Sequence, residues 1–230
     1  KPNTSEFIAV LTWVDDFIFI HQKEETWTTF LKDLRKRFTV PTVGDLTCFL
    51  GMSMVHDASH HRLHISQPTQ SRPCLSAPKC LIVTQSALHA CLALCGQNKI
   101  VRKMVTSTHS RALVALANFI SNWTRPDITY TVNKLCKFMS APGAVHWQAL
   151  KHLLRYLKGT VSVGLNYNFD LQDRAALHGY TDASYADCTD TGKSTIGYIF
   201  FYGGAALSWF SKLHSYVTTC TNHSEYAALA

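Results

Sequence analysis

Apolar residues in the first part of the chain have the spacing of strands, with one helix between them. Residues 7–20 read FIAVLTWVDDFIFI, two apolar runs that flank a pair of aspartates. This pattern predicts two strands joined by a tight turn. Apolar residues at intervals of three and four predict an amphipathic helix over 24–38. Two more strands are predicted at 46–55 and 62–66.

Helices are predicted in the middle of the chain. An apolar stretch favours a helix over 110–121, and Asp127 is expected to cap a further helix that continues to Met139. The clearest amphipathic pattern covers 146–158, with leucines on one side and cations on the other. Gly159 is expected to end that helix, because glycine readily adopts the backbone conformation of a helix stop.

The last part of the chain predicts a small sheet and one more helix. Residues 177–184 read as a strand, and 194–202 with 206–211 read as a hairpin over a Gly-Gly turn. A helix is predicted from Thr221 onward. Together these elements indicate an α+β chain.

Composition narrows the class of protein. Of 230 residues, 47% are hydrophobic and 16% are charged, which excludes disorder over the whole chain. No apolar run is long enough for a membrane span. The eight cysteines include no CxxC pair, which disfavours a zinc site and favours free thiols without a disulfide partner in a reducing, intracellular compartment. The net charge of +7 favours a polyanionic partner, nucleic acid first.

Two pairs of acidic residues are candidates for catalysis. Asp15 and Asp16 adjoin apolar strands, where a divalent cation such as Mg²⁺ would compensate their charge. The ordinary alternative is a polar hairpin turn. Asp182 lies at the end of a predicted strand and Glu225 in the first turns of a predicted helix, an arrangement that can hold a metal between two elements. Taken singly, each of these two acids is also compatible with a solvated or capping role.

The helix over 146–158 carries a basic stripe. Its cations include Lys151, Arg155 and Lys158, with His152 beside them. Such side chains can bind phosphates, because they release counterions from nucleic acid. The alternative is the solvated face of an ordinary amphipathic helix.

Several motifs in order resemble the copia-type retrotransposon polyprotein. Trp13-Val14-Asp15-Asp16 is similar to the Tyr-Val-Asp-Asp motif of reverse transcriptases. Further similar blocks are Val43-Gly44-Asp45-Leu46, Phe49-Leu50-Gly51-Met52, Thr124-Arg125-Pro126-Asp127-Ile128, Leu154-Arg155-Tyr156-Leu157-Lys158-Gly159-Thr160, Gly179-Tyr180-Thr181-Asp182-Ala183-Ser184 and Ser224-Glu225-Tyr226. The resemblance covers 8–66 and 107–230, the C-terminal part of the reverse transcriptase and the N-terminal part of RNase H.

The resemblance implies roles for the acidic residues. Asp15 and Asp16 would be two of three metal-binding aspartates of the polymerase. Asp182 and Glu225 would be the first two carboxylates of RNase H. Mg²⁺ is the implied cofactor, and a template-primer or an RNA–DNA hybrid is the implied partner. His223 stands where the family has a further glutamate, for which a helix-capping role is expected.

The resemblance also implies a fold in four parts. An incomplete palm tail over 1–69 precedes a divergent segment over 70–106, a helical thumb-like region over 107–165 and a truncated RNase H-like antiparallel sheet with its first helix over 176–230. The divergent segment is rich in cysteine and poor in charge, with a weak helix signal over 86–94. Two alternatives explain this composition: translation in a shifted reading frame that is later restored, or ordinary divergence in a loop.

Activity is not expected from these residues alone. The family's remaining metal-binding aspartates belong upstream and downstream of the matched motifs, so each active site holds part of its metal cage. A degenerate, inactive fragment is therefore expected. The alternatives are a basic nucleic-acid-binding module without catalysis and an enzyme completed by another chain. Asp182 and Glu225 are still expected to face each other, with Tyr226 and Leu229 buried on the sheet.

Overall fold

The computed structural model describes residues 7–13, 16–40, 43–68, 107–170 and 176–229. Its chain divides into two units, Lys1–Leu50 and Gly51–Ala230, which are described separately. The predicted helix over 86–94, and the expectations for 70–106 as a whole, lie outside the described residues.

A hairpin and a helix form the first unit. Strands β1 (Ile8–Trp13) and β2 (Asp16–His21) pair antiparallel, as the two apolar runs predict. Helix α1 (Glu24–Arg37) follows, with glutamates in its first turn and cations in its last turn. These charges stabilise the helix dipole. The short strand β3 (Cys48–Phe49) comes next along the chain.

Aromatic rings hold helix α1 against the hairpin. Trp27 is the buried residue of the helix, and its ring centroid lies 5.1 Å from that of Phe19 on β2. Phe30, one turn later, lies 6.1 Å from the same Phe19 ring. Because strand side chains alternate, this packing covers only the face of the hairpin that carries Phe19. Leu11 and Ile20 of the other face are each 54% exposed.

An antiparallel sheet opens the second unit. Strands β4 (Met52–Asp57) and β5 (Arg62–Ser66) form a hairpin, and β6 (Leu165–Asn168) pairs with β5 from far along the chain. The bounds of β5 agree with the prediction. The strand predicted over 46–55 is wrong as one element, because Leu50 and Gly51 turn the chain with φ of 50° and 75°.

Three helices form the main core of this unit. They are α2 (Ser107–Trp123), α3 (Thr129–Cys136) and α4 (Ala144–Gly159). The buried cluster consists of Val114, Ala117, Ile120, Ile128, Val132, Leu135, Ala149, Leu150, Leu153, Leu154 and Leu157. Its members recur at the three-and-four spacing that predicts the helices, since that spacing places them on one face.

Three details at the helix ends differ from the predictions. Asp127 does not cap α3, which has no side-chain cap; it lies in a short 3₁₀ turn, Pro126–Ile128, and accepts hydrogen bonds from Arg125. Helix α3 ends at Cys136, before Met139. Gly159 is the last residue of α4 and does not adopt a positive φ.

A second antiparallel sheet follows, with strand order β7-β8-β9. Its strands are β7 (His178–Ser184), β8 (Thr195–Tyr202) and β9 (Ala205–Leu213). Gly203 and Gly204 turn the hairpin with φ of 59° and 81°, values that glycine adopts without strain. Helix α5 (Thr221–Leu229) packs against β7 and β8. The chain is thus a mixed α+β fold with small antiparallel sheets, as predicted.

Candidate active-site carboxylates and a basic helix

The first acidic pair lies at the turn of the β1–β2 hairpin. Asp16 is the first residue of β2 and pairs with Trp13, the last residue of β1. Its side chain is exposed, as is that of Trp13 at 55%. Asp15 lies outside the described residues. The approach of the two carboxylates to one metal therefore stays a prediction.

Asp182 lies on β7, two residues from the end of that strand. It pairs with Gly197 on β8, and its side chain is exposed. In the described part of the chain β7 pairs only with β8, so Asp182 belongs to an edge strand of this sheet.

Glu225 lies on helix α5, which contacts the strand of Asp182. The expected packing of this helix is wrong: Tyr226 and Leu229 are 74% and 68% exposed, and Ser224 is the fully buried residue. Small side chains allow a helix backbone to approach a sheet closely, so Ser224 takes the place expected for the larger pair. Glu225, next to Ser224, is half-buried. The strand of Asp182 and the helix of Glu225 are thus in contact. That the two carboxylates face each other stays a prediction.

His223 contacts the chain just before helix α5. Its Nδ1 lies 3.2 Å from the hydroxyl oxygen of Thr219 and 3.5 Å from the backbone nitrogen of the same residue. A side chain near the start of a helix that reaches back to the preceding backbone has a capping role. His223 therefore contributes to the helix start through these contacts, and the capping role expected for the family's glutamate stays a prediction.

The basic stripe lies on helix α4. Lys151 and Arg155 are half-buried and Lys158 is exposed, while leucines of the opposite face form the core. Arg155 Nε and His152 Nδ1 are buried without a hydrogen-bond partner. Burial and the charges of Arg155 and Lys151 lower the pKa of His152. An anion bound here would offset this cluster of positive charge.

A buried ion pair that the sequence patterns do not reveal lies beside helix α4. Arg125 is 3% exposed and donates to both carboxylate oxygens of Asp127, at 2.9 and 2.7 Å. Tyr156 donates to Asp127 at 2.7 Å, and Arg125 also donates to the backbone oxygen of Thr160. Burial alone would raise the pKa of Asp127, but the hydrogen bonds and charge of Arg125 outweigh it and lower that pKa.

A second polar cluster joins helix α3 to the β7–β9 sheet. Asp187 accepts hydrogen bonds from Lys134 at 2.6 Å, Tyr130 at 3.2 Å and Thr195 at 2.7 Å. Asn133 donates to the backbone oxygen of Ser211 on β9. These contacts fix the face of the sheet that bears Asp182 against the helix. Spacing along the sequence gives no signal for the contacts of Tyr130, Asn133 and Lys134 with this part of the chain, since their partners are more than 50 residues away.

The described residues were compared with the ligand groups that a metal ion needs. Among them, no group of three or more His, Cys, Asp or Glu side chains could hold a metal ion. The described cysteines, Cys48, Cys136, Cys188 and Cys220, are free. No helix in the described part of the chain is long and apolar enough to cross a membrane.

Comparison with known proteins identifies the family. The chain is 32% identical over 235 residues to the "Retrovirus-related Pol polyprotein from transposon TNT 1-94" of Nicotiana tabacum, an alignment that covers 97% of this chain and 17% of that protein. It is 32% identical over 227 residues to the corresponding polyprotein from transposon RE2 of Arabidopsis thaliana, covering 97% of this chain and 15% of the relative. The chain belongs to the copia-type retrotransposon Pol polyproteins.

This Pol polyprotein segment spans less than one fifth of the length of those relatives. A relative of similar extent also exists. The "Uncharacterized mitochondrial protein AtMg00810" of Arabidopsis thaliana is 28% identical over 221 residues, which cover 96% of this chain and 90% of that protein. Neither a protein-family model nor a solved structure matches the Pol segment.

Proposed function

We propose that this chain is a segment of a reverse transcriptase–RNase H and that it has neither activity by itself. The observation that carries the proposal is the β7–β9 sheet followed by α5, with Asp182 on the first strand and Glu225 on the helix packed against it. This order of elements is the one that the resemblance implies for the start of an RNase H-like domain. The motif around Asp15 and Asp16 supports the polymerase part.

The number of candidate ligands supports the proposed lack of catalysis. Two-metal phosphoryl transfer needs both ions at fixed positions, and the described residues offer no group of three acidic, histidine or cysteine ligands. The donor set among them therefore does not fit a complete Mg²⁺ site. By the resemblance, the other carboxylates of each site belong to parts of the polyprotein other than these 230 residues.

Two assays with Mg²⁺ or Mn²⁺ test this proposal. The chain is incubated with a primed RNA template and nucleotides, and separately with a labelled RNA–DNA hybrid. We expect no primer extension and no hybrid cleavage above the buffer control. Extension that Asp15→Asn abolishes, or cleavage that Asp182→Asn abolishes, would contradict the proposal, because both substitutions remove a candidate ligand and keep the side-chain shape.

A second candidate function is the binding of nucleic acid by helix α4 without catalysis. Lys151, Arg155 and Lys158, at i, i+4 and i+7 on one face of the helix and none of them fully buried, favour it, since cations on one surface release counterions from phosphates. Lys151 and Lys158 lie on the same helix and would contact further phosphates. This candidate requires no metal, so it is compatible with the absence of catalysis.

A further inference from the structure

A cleft of about 260 Å³ lies between helix α3 and the β7–β9 sheet, on the face that bears Asp182. The strand register places two rows of residues on the floor of this cleft. Tyr180, Ile199 and Trp209 form one row across the three strands. Asp182, Gly197 and Ser211 form the next row on the same face. The floor of the cleft thus combines an apolar row with Tyr180 and Trp209 and a second row that contains Asp182.

Two aromatic walls of the cleft are held in place by the protein. The indole nitrogen of Trp209 donates to the backbone oxygen of Ser121 at 2.8 Å. The hydroxyl of Tyr130 donates to Asp187 at 3.2 Å, and Lys134 Nζ lies 5.3 Å from the centroid of the same ring. The polar atoms of both rings thus have protein partners. Rings fixed in this way lose little conformational entropy when they bind a flat ligand.

The residue next to Asp182 in the floor of the cleft is a glycine. Gly197 lies between Asp182 and Ser211 in its row, and a Cβ at this position would come within 3.1 Å of the backbone oxygen of Phe210. Without that side chain, a ligand can approach both the sheet and the Asp182 carboxylate. Tyr180, 64% exposed, borders the same space.

We propose that this cleft binds a single guanine base of a nucleic-acid strand. The volume is below the roughly 300–1,000 Å³ typical of drug-sized ligands, which suits one base. Aromatic side chains stack on bases. A carboxylate only accepts hydrogen bonds, and guanine presents two adjacent donors, N1–H and the N2 amino group, that can reach both oxygens of Asp182. The choice of a nucleic-acid ligand rests on the proposed function.

Binding of mononucleotides to the full chain in EDTA tests this inference. Guanosine monophosphate is titrated by calorimetry against inosine monophosphate, which lacks only the N2 amino group. We expect guanosine monophosphate to bind about tenfold more tightly, and Tyr180→Ala to weaken its binding by about tenfold through loss of stacking. Tyr226→Ala is the matched control, because Tyr226 is 74% exposed and lies on α5, outside the cleft.

The outcomes separate this inference from the proposed function. Equal affinity for the two nucleotides, equal binding by the Tyr180→Ala and Tyr226→Ala variants, or no binding overturns the cleft assignment. None of these results bears on polymerase or RNase H activity, since EDTA removes the metal. Conversely, primer extension by the chain would contradict its proposed inactivity and leave the cleft assignment standing. Asp182→Asn should abolish the preference for guanosine monophosphate and keep the stacking contribution.

Discussion

At the residue scale, the contrast between two ion pairs shows what burial adds to charge. The Arg125–Asp127 and Lys36–Asp33 pairs have the same shortest N–O distance, 2.7 Å. Arg125 is 3% exposed and Asp127 is 23% exposed, whereas the Lys36 and Asp33 side chains are 73% and 66% exposed. Water screens the second pair much more than the first, so the same geometry contributes very different free energies.

The substitution Asp127→Asn should therefore destabilise the fold by about 3 kcal/mol, because it leaves the buried Arg125 without its charge partner. Asp33→Asn, the matched control, should change the free energy of unfolding by less than about 1 kcal/mol. Urea unfolding of both variants measures the difference.

The acid dependence of the first variant gives a second test. The pKa of Asp127 is lowered in the fold from its ordinary 3.8, so its contribution is full above 3.8 and is lost as the pH falls through the folded-state pKa. The stability difference between the wild-type chain and Asp127→Asn should shrink below that pH. Equal effects of Asp127→Asn and Asp33→Asn at neutral pH would contradict the assignment of a buried pair.

At the element scale, the start of helix α4 depends on a neutral histidine. The Gly143 backbone N–H donates to His146 Nδ1 at 2.9 Å, and the His146 ring stacks on Phe138 at 3.9 Å. Burial lowers the pKa of His146 from its ordinary 6.5. Protonation of Nδ1 would break the hydrogen bond to Gly143, since that nitrogen could no longer accept.

We predict that stability falls as the pH drops below 6.5 toward the lower folded-state pKa of His146, because the unfolded chain binds the proton more readily. Denaturant midpoints at about pH 8 and about pH 5.5, on either side of the ordinary pKa of 6.5, measure this loss. His146→Gln should weaken the pH dependence and keep the cap, since a glutamine oxygen can accept the same hydrogen bond.

The matched variant His146→Ala separates titration from capping. It should also weaken the pH dependence, but relative to His146→Gln it should cost about 1 kcal/mol at every pH through loss of the cap. The pKa of His152 is also lowered, so His152 contributes to the pH dependence with the same sign. Because it is present in the wild-type chain and in both variants, its contribution cancels when they are compared. An unchanged pH dependence in both variants would show that His146 does not titrate in this window.

At the scale of the whole molecule, the net charge of +7 gives an attraction for polyanions that does not depend on catalysis. If helix α4 is the binding surface, Lys151→Gln with Lys158→Gln should make the negative slope of log affinity against log salt shallower by about two for a DNA duplex, because two phosphates are no longer neutralised. Arg155 is left in place because its buried Nε makes a structural effect hard to separate.

A variant of equal charge change serves as the control. Arg62→Gln with Lys212→Gln removes two exposed cations from the sheets of the same unit. It should leave the slope nearly unchanged, because these side chains lie outside helix α4. Equal slopes for the two double variants would assign the binding to net charge alone and would contradict a specific surface on α4.

The sequence by itself determined most of the elements, and the tertiary structure decided which of their faces meet. Hydrophobic periodicity predicts β5, helices α1 and α4 and the β8–β9 hairpin, because a helix or strand repeats over a few residues and its signal is local. It does not predict that Ser224 rather than Tyr226 packs on the sheet, since an isolated helix offers several faces and the contact surface selects one.

The same distinction holds for the candidate site. The sequence alone shows the motif around Asp182. That Asp182 lines the same cleft as Trp209 and Tyr130 depends on strand register and on the packing of α3 against the sheet. Asp127 is predicted as a helix cap from its neighbours and becomes the partner of a buried arginine and of Tyr156, 29 residues away. Contacts of this kind join distant residues, and only the folded chain brings them together.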